Sequence, residues 1–367
     1  MNQSRINVAI VGLGFGKEFI PIYQHHPNAN MYAICQRAKE KLDEVGDQFG
    51  VARRFTNFDE LIEDPQVEAV HINTPIHLHA PQSIAALRAG KHVACTVPAA
   101  TTIEECREIV RAAVESGRNY MMMETAIYTR EFLYVRELLD SGQLGRIQFM
   151  RACHQQEMAG WPEYWEGLPP MHYATHAVSP CLALVRGEAE YVACFGSGRI
   201  ADRLIAKYGS PFAVESALFK VRDQPIAFEV TRSLFETARQ YIESFDVYGD
   251  KASFEWTRIE GEEPIVHRGE KPERVKVPDF AHLLPPPIRR FTTKGVYDAE
   301  HAHLSFIQGG GHGGSHPHLV HEFVSSIVEG RRPFPDVYQS VNWSCAGICA
   351  HESAMRGGEI VRLPIFA

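Results

Sequence analysis

The stretch VAIVGLGFGKEF, residues 8–19 of 367, constrains this chain more than any other. An apolar, β-branched run stops at Gly12-x-Gly14, and a helix is predicted just beyond it. A tight turn at Gly12 and a close backbone approach at Gly14, ahead of a helix N-terminus, suit a pyrophosphate. The spacing departs from G-x-G-x-x-G, because Lys17 stands where the third glycine would fall and Gly16 comes one residue early. A purely structural turn fits the same residues. Placement inside a strand–helix–strand unit favours the dinucleotide.

That unit is the first of several. Strands are predicted over RINVAIVG, NANMYAICQ, VEAVHINTP, KHVACTV and NYMMME, with helices over HAPQSIAALRAG and about 102–116. Thr102 and Glu105 form a capping box for the last of these, and Gly117 suits its stop. Such alternation implies a parallel sheet covered on both faces, a doubly wound domain over 1–124. Beyond residue 125 the rhythm changes. After the helix REFLYVRELLDSG come RIQFMRACH, EYVACFGSG, VESALFKV, PIAFEVTRS and QYIESFDVYG, strand-like runs expected in an open, mainly antiparallel sheet. Helical stretches at about 173–185, 318–329 and 338–355 complete an α/β domain over 125–367. Residues 261–300, rich in proline and charge, read as an irregular excursion.

A net charge of −8 and no concentrated basic face exclude a nucleic-acid partner. The eight cysteines are scattered, with no C-x-x-C, and are expected to be reduced and mostly buried. No apolar run reaches the roughly 18 residues of a membrane span. The N-terminus enters a strand almost at once, so the cytoplasm is the expected location. Gln36 closes the second strand, where the residue that contacts the adenosine ribose falls. Its amide can bond a ribose hydroxyl, while Arg37 could tolerate a 2′-phosphate. NAD is expected ahead of NADP.

Several segments together resemble the glucose–fructose oxidoreductase and inositol dehydrogenase (Gfo/Idh/MocA) family: VGLG (11–14), NTPIHLHA (73–80), AGKHV (89–93) with Pro98, and DSGQLGRIQ (140–148). The resemblance implies an N-terminal Rossmann domain and a second domain whose open sheet forms subunit contacts, hence a homo-oligomer. Two departures stand out. Thr96-Val97-Pro98 replaces Glu-Lys-Pro, so the family's active-site lysine is absent, and His172 takes the place of the aspartate in Asp-x-x-x-His while His176 survives. A narrower resemblance is to the lysine-lacking branch of NAD-dependent glycosidases acting on N-acetylgalactosamine, through VPAATTIEEC (97–106), MMMETAIY (121–128), YATHAVSP (173–180) and GGGHGGSH (309–316). There His316 replaces an aspartate.

The resemblance implies cofactor contacts at Gly12, Gly14, Phe15, Gly16, Gln36, Arg37, Asn73, Thr74, Pro75, His79, Pro98 and Glu124. For substrate it implies Tyr128, Tyr173, His312 and His316, and the aromatic cluster at Trp161 and Trp165, with His154 nearby, offers further ring contacts. His312 and His316 are expected in a glycine-flanked loop that closes over a polar ligand. His176 is the candidate base, since imidazole titrates near neutral pH. His172, one helical turn earlier, is expected on the same face as its helper. Such a pair could share an ion, but no third ligand stands at diagnostic spacing, so no metal is expected. The activity implied is NAD-dependent oxidation of a sugar or glycoside ring hydroxyl, at C3, to a ketone, opening a route to glycoside and C-glycoside breakdown. A glycosidase using transient C3 oxidation and elimination is one alternative. A non-catalytic nucleotide-binding sensor is another.

Overall fold

The computed structural model describes residues 5–259, 261–293 and 312–366, and the chain divides into two compact units. The first comprises Met1–Ala100, Glu104–Arg130 and Asp279–Val341. Its six strands are β1 (Ile6–Val11), β2 (Ala29–Cys35), β3 (Arg53–Phe55), β4 (Ala69–Ile72), β5 (His92–Cys95) and β6 (Tyr120–Met122). They pair in parallel in the order β3-β2-β1-β4-β5-β6, which is the doubly wound Rossmann order. The central strands are mostly apolar, β1 broken only by Asn7 and β4 only by His71, because helices cover both faces. The edge strand β3, with the sequence RRF, was not legible as a strand.

Between the strands lie α1 (Ile20–His25), α2 (Lys39–Phe49), α3 (Phe58–Glu63), α4 (His79–Arg88) and α5 (Ile103–Ser116). The last begins directly after Thr102 and stops at Gly117, whose φ of +63° is left-handed. One boundary at 124/125 does not describe the division of the chain. Leu284, Ile288 and Phe291, with Leu319, Val320, Phe323 and Val324, join the core built by β1 and α1. Apolar residues more than 250 positions downstream of α1 thus finish covering the first sheet, which no local pattern announces.

The second unit holds Thr101–Ile103, Glu131–Pro278 and Asn342–Ala367. After α6 (Arg130–Asp140) come β7 (Ile147–Gln155), α7 (Thr175–Leu184), β8 (Ala189–Ser197), α8 (Asp202–Tyr208), β9 (Val214–Val221), β10 (Ala227–Ser233) and β11 (Ile242–Gly249). The short strands β12 (Ser253–Glu255), β13 (Ile265–Arg268) and β14 (Lys271–Arg274) extend one edge. The helix α9 (His316–Val328) belongs to the first unit, and α10 (Val337–Met355) precedes β15 (Val361–Arg362) at the other edge of the second sheet. All pairings are antiparallel except β7 with β10. The stretch read as an irregular excursion therefore contains a hairpin, β13–β14, whose short, charged strands carry almost no apolar alternation. Every residue of α7 is buried, against β7, β10 and β11. No helix among the described residues is long and apolar enough to cross a membrane.

Candidate active site

The glycine loop follows β1. Gly12 adopts φ +86°, and a Cβ there would lie 2.5 Å from the Asn73 carbonyl oxygen, so only glycine fits. Above Gly14 a Cβ would meet nothing within 4 Å. That open approach fits a dinucleotide pyrophosphate on the loop backbone, while the unpartnered Asn73 Oδ1 is an acceptor suited to a cofactor hydroxyl or amide. Gln36 braces the loop, its Oε1 accepting the Leu13 N–H at 3.1 Å. Arg37 is exposed.

At the ends of β4 and β5, His79 is held from both sides. Its Nδ1 lies 2.8 Å from the Pro98 carbonyl oxygen and its Nε2 2.7 Å from that of Thr74. Two carbonyl acceptors need two N–H donors, so the geometry favours the imidazolium. Burial alone would lower its pKa; the Cys95 sulfur and the two carbonyls reverse this and raise it to about 8. Thr74 Oγ1 donates to Gln82, and Pro75 leads into the turn at Ile76–Leu78. Val97, in the place of the family's lysine, is buried. Glu124 is fully buried and accepts the Ala126 N–H at 3.0 Å. The Tyr128 hydroxyl donates to the Phe334 carbonyl at 2.6 Å.

His312 and His316 fall differently from expectation. His312 bonds Thr125 Oγ1 through Nδ1 at 3.1 Å, whereas His316 opens α9 and is buried against Phe15 and Phe19. Residues 309–311 lie outside the described residues. Burial raises Glu18 to about 7, against the pull of His312 and Lys17, and holds His316 well below its ordinary value. Their 3.9 Å contact is therefore not an ion pair at neutral pH.

In the second unit, the register of β7 with β11 sets His154 directly opposite Glu243, and β10 sets Arg232 on His154's other side. His176, in the first turn of α7, completes the group. The Nε2 atoms of His154 and His176 each lie 3.8 Å from Glu243 Oε1, and the two rings meet edge to face at 5.1 Å. Tyr241 donates a short hydrogen bond to Glu243 Oε1. Burial, then Glu243, raises the Tyr241 pKa far above its ordinary value, so it stays a donor. Arg232 is fully buried and donates to the carbonyls of Tyr173, His154 and Ser233 and to Gln156 Oε1. Though burial pushes it down to about 10, it remains charged at neutral pH. Tyr173 leans edge-on to His176, Trp165 to Tyr173, and Trp161, 45% exposed, to Trp165.

His172 does not share a face with His176. It sits in the short 3-10 turn Pro170–Tyr173, ahead of the start of α7 at Thr175, because Ala174 is not α-helical and breaks the run. Its ring packs on His351 at 4.9 Å, and burial, then His351, pushes its pKa down to about 3. The residues that sequence reasoning missed are Tyr241, Glu243 and Arg232. The alternation in QYIESFDVYG places the first two on one strand face, which was the available signal.

Residues 6–124 match the family model described as an oxidoreductase family with an NAD-binding Rossmann fold. An α-N-acetylgalactosaminidase of Shewanella oneidensis is 24% identical over 401 residues, spanning 98% of this chain and 85% of the relative. Levoglucosan dehydrogenase in complex with NADH and levoglucosan aligns with a TM-score of 0.80 at 22% identity, over 98% of this chain and 100% of that one. An NAD-binding oxidoreductase from Klebsiella pneumoniae has the same TM-score at 19% identity, over 98% and 99%. These two likenesses establish the fold.

Proposed function

We propose that this protein oxidises a ring hydroxyl of a sugar or glycoside, at C3 of a pyranose, to the ketone. The observation that carries the proposal is the buried convergence of His154, His176 and Glu243 beside Tyr173 and Tyr241. His176 Nε2 takes the hydroxyl proton, and Glu243 offsets the imidazolium that forms. Tyr241 orients Glu243, while His154, Tyr173 and the Trp161–Trp165 pair position the sugar and aglycone. Bound NAD supplies the hydride acceptor. Gly12, Gly14, Phe15 and Gly16 would cradle its pyrophosphate, and Gln36 and Arg37 its adenosine ribose. Asn73, Thr74, Pro75, His79, Pro98 and Glu124 would shape its nicotinamide end. Sugars are the named ligands or substrates of the levoglucosan dehydrogenase complex and the Shewanella relative.

The Shewanella relative's name also favours a second reading, glycoside cleavage by transient oxidation. A C3 ketone acidifies the C2 proton, elimination expels the aglycone, and reduction restores the sugar. His316, where that branch has an aspartate, weighs toward stopping at the ketone. Carbon NMR after incubation with NAD and an aryl glucoside tests this. A C3 carbonyl is expected; a carbonyl at C1, C2 or C4 overturns the assignment. Free aglycone with unoxidised sugar establishes the glycosidase, and cofactor binding without turnover the sensor. We further propose a cytoplasmic homo-oligomer joined through the second sheet, whose outer face exposes Phe195 and Leu218.

A further inference from the structure

The His154–His176–Glu243 group has the composition of a metal site as well as of an acid–base site. Among the described residues it is the one group of three such side chains whose ligand atoms all lie within 4.8 Å of one another. Two imidazoles and one carboxylate with open positions are the donor set of catalytic zinc and non-haem iron centres. Donors around a tetrahedral ion with bonds of about 2 Å stand roughly 3.4 Å apart. The observed Nε2–Oε1 separations of 3.8 Å lie about 0.4 Å above that value, and all three ligand atoms lie within 4.8 Å of one another. The supports are already in place. His154 and Glu243 face each other across paired strands, His176 is fixed by a buried helix, and Tyr241 orients the carboxylate, as an outer-shell partner does. The buried charge of Arg232 opposes any cation, so binding must rest on ligand bonds rather than on the field. Imidazole donors then select zinc, cobalt, nickel or copper over magnesium and calcium.

We propose that this cluster binds one divalent transition-metal ion through His154, His176 and Glu243, and that metal there and dehydrogenation exclude each other. The ion uses the lone pair on His176 Nε2 that the sugar's hydroxyl proton needs. The exclusion rests on the proposed role of His176 as base; the binding site itself does not.

Full-length protein stripped by chelator is titrated with Co²⁺, followed by its visible absorption, and with Zn²⁺ by calorimetry. One equivalent is expected, without the thiolate charge-transfer absorption that cysteine ligation would give. Glu243→Gln and His154→Ala should each weaken binding by at least the ~10–100-fold that loss of an outer-shell partner costs. Circular dichroism confirms that each variant is folded, and Glu243→Gln keeps the side-chain shape if His154→Ala is not. Zn²⁺ should suppress NADH formation and chelator should restore it. Absence of stoichiometric binding, or binding that survives both substitutions, overturns the site. Turnover that rises with occupancy overturns the exclusion and the base role of His176 together. Site-specific binding by a protein that oxidises no glycoside breaks the proposed function and leaves the metal site standing.

Discussion

Two of the glutamate–histidine groups in the second unit, those of Glu215 and Glu243, are held differently. Glu215 is fully buried, and both its oxygens are taken: Oε1 lies 2.6 Å from His351 Nδ1, and Oε2 accepts the Met171 N–H at 2.7 Å. His172 packs on that His351 and is kept neutral. Glu243 instead stands 3.8 Å from both imidazoles that face it. The first group is a closed clamp that fixes the turn leading into α7. In the second, Glu243 Oε1 accepts from the Tyr241 hydroxyl while the two imidazoles stand at the longer 3.8 Å. Nearness of His to Glu does not by itself distinguish structure from chemistry; the distance does.

Opposite responses to substitution would test the contrast most severely. Glu215→Ala strands the His351 Nδ1 and the Met171 N–H in the interior, at about 3 kcal/mol of stability. Denaturant titration should show that loss, and unchanged stability would mean the clamp carries nothing. His176→Ala should spare stability and cofactor binding yet lower kcat at least ~100-fold. His172→Ala should cost less turnover than that, and the reverse order in steady-state assays would exchange the two roles.

A smaller effect separates the second unit's histidines from His79 in the first. The raised pKa of His79, about 8 against 6.5 for an ordinary histidine, contributes roughly 2 kcal/mol of stability. The sign follows from protonation. The contribution is complete below pH 6.5, where folded and unfolded chains are both charged, and is lost as pH rises through 8. Thermal midpoints should fall over that interval, and His79→Gln should flatten the slope. His172 behaves inversely, since its lowered pKa supports the fold above pH 6.5 and weakens it as pH falls toward 3.

The smallest effect is expected at the rim. Trp161→Ala should remove an aromatic contact of about 1 kcal/mol, raising KM for an aryl glycoside about fivefold and for a methyl glycoside hardly at all. Equal effects on both would assign Trp161 to the sugar rather than the aglycone.

Much of the first unit was legible because its signals are local. The apolar strands, Gly12 with its left-handed φ, and the stop of α5 at Gly117 each depend on residues within a turn or two. The strand β3 and the hairpin β13–β14 were not, because their short, charged sequences owe their pairing to neighbours. His154 and His176 were named from sequence, but their partner was not. Glu243 lies 89 residues beyond His154 and meets it only through strand register. The helical spacing that paired His172 with His176 failed because the α-helix begins between them.

What the sequence determined by itself was whatever short-range forces decide: strand and helix periodicity, the glycine turn, and the presence of imidazole in a chain lacking the usual lysine. What only the tertiary structure decided was which of those groups meet, and at what separation. Residues 279–341 return to the first core because its apolar face would otherwise remain wet. Glu243 reaches two histidines because antiparallel pairing sets distant positions side by side. A carboxylate and an imidazole attract wherever they are brought together. Whether they close to 2.6 Å or stay 3.8 Å apart is set by the backbones that carry them.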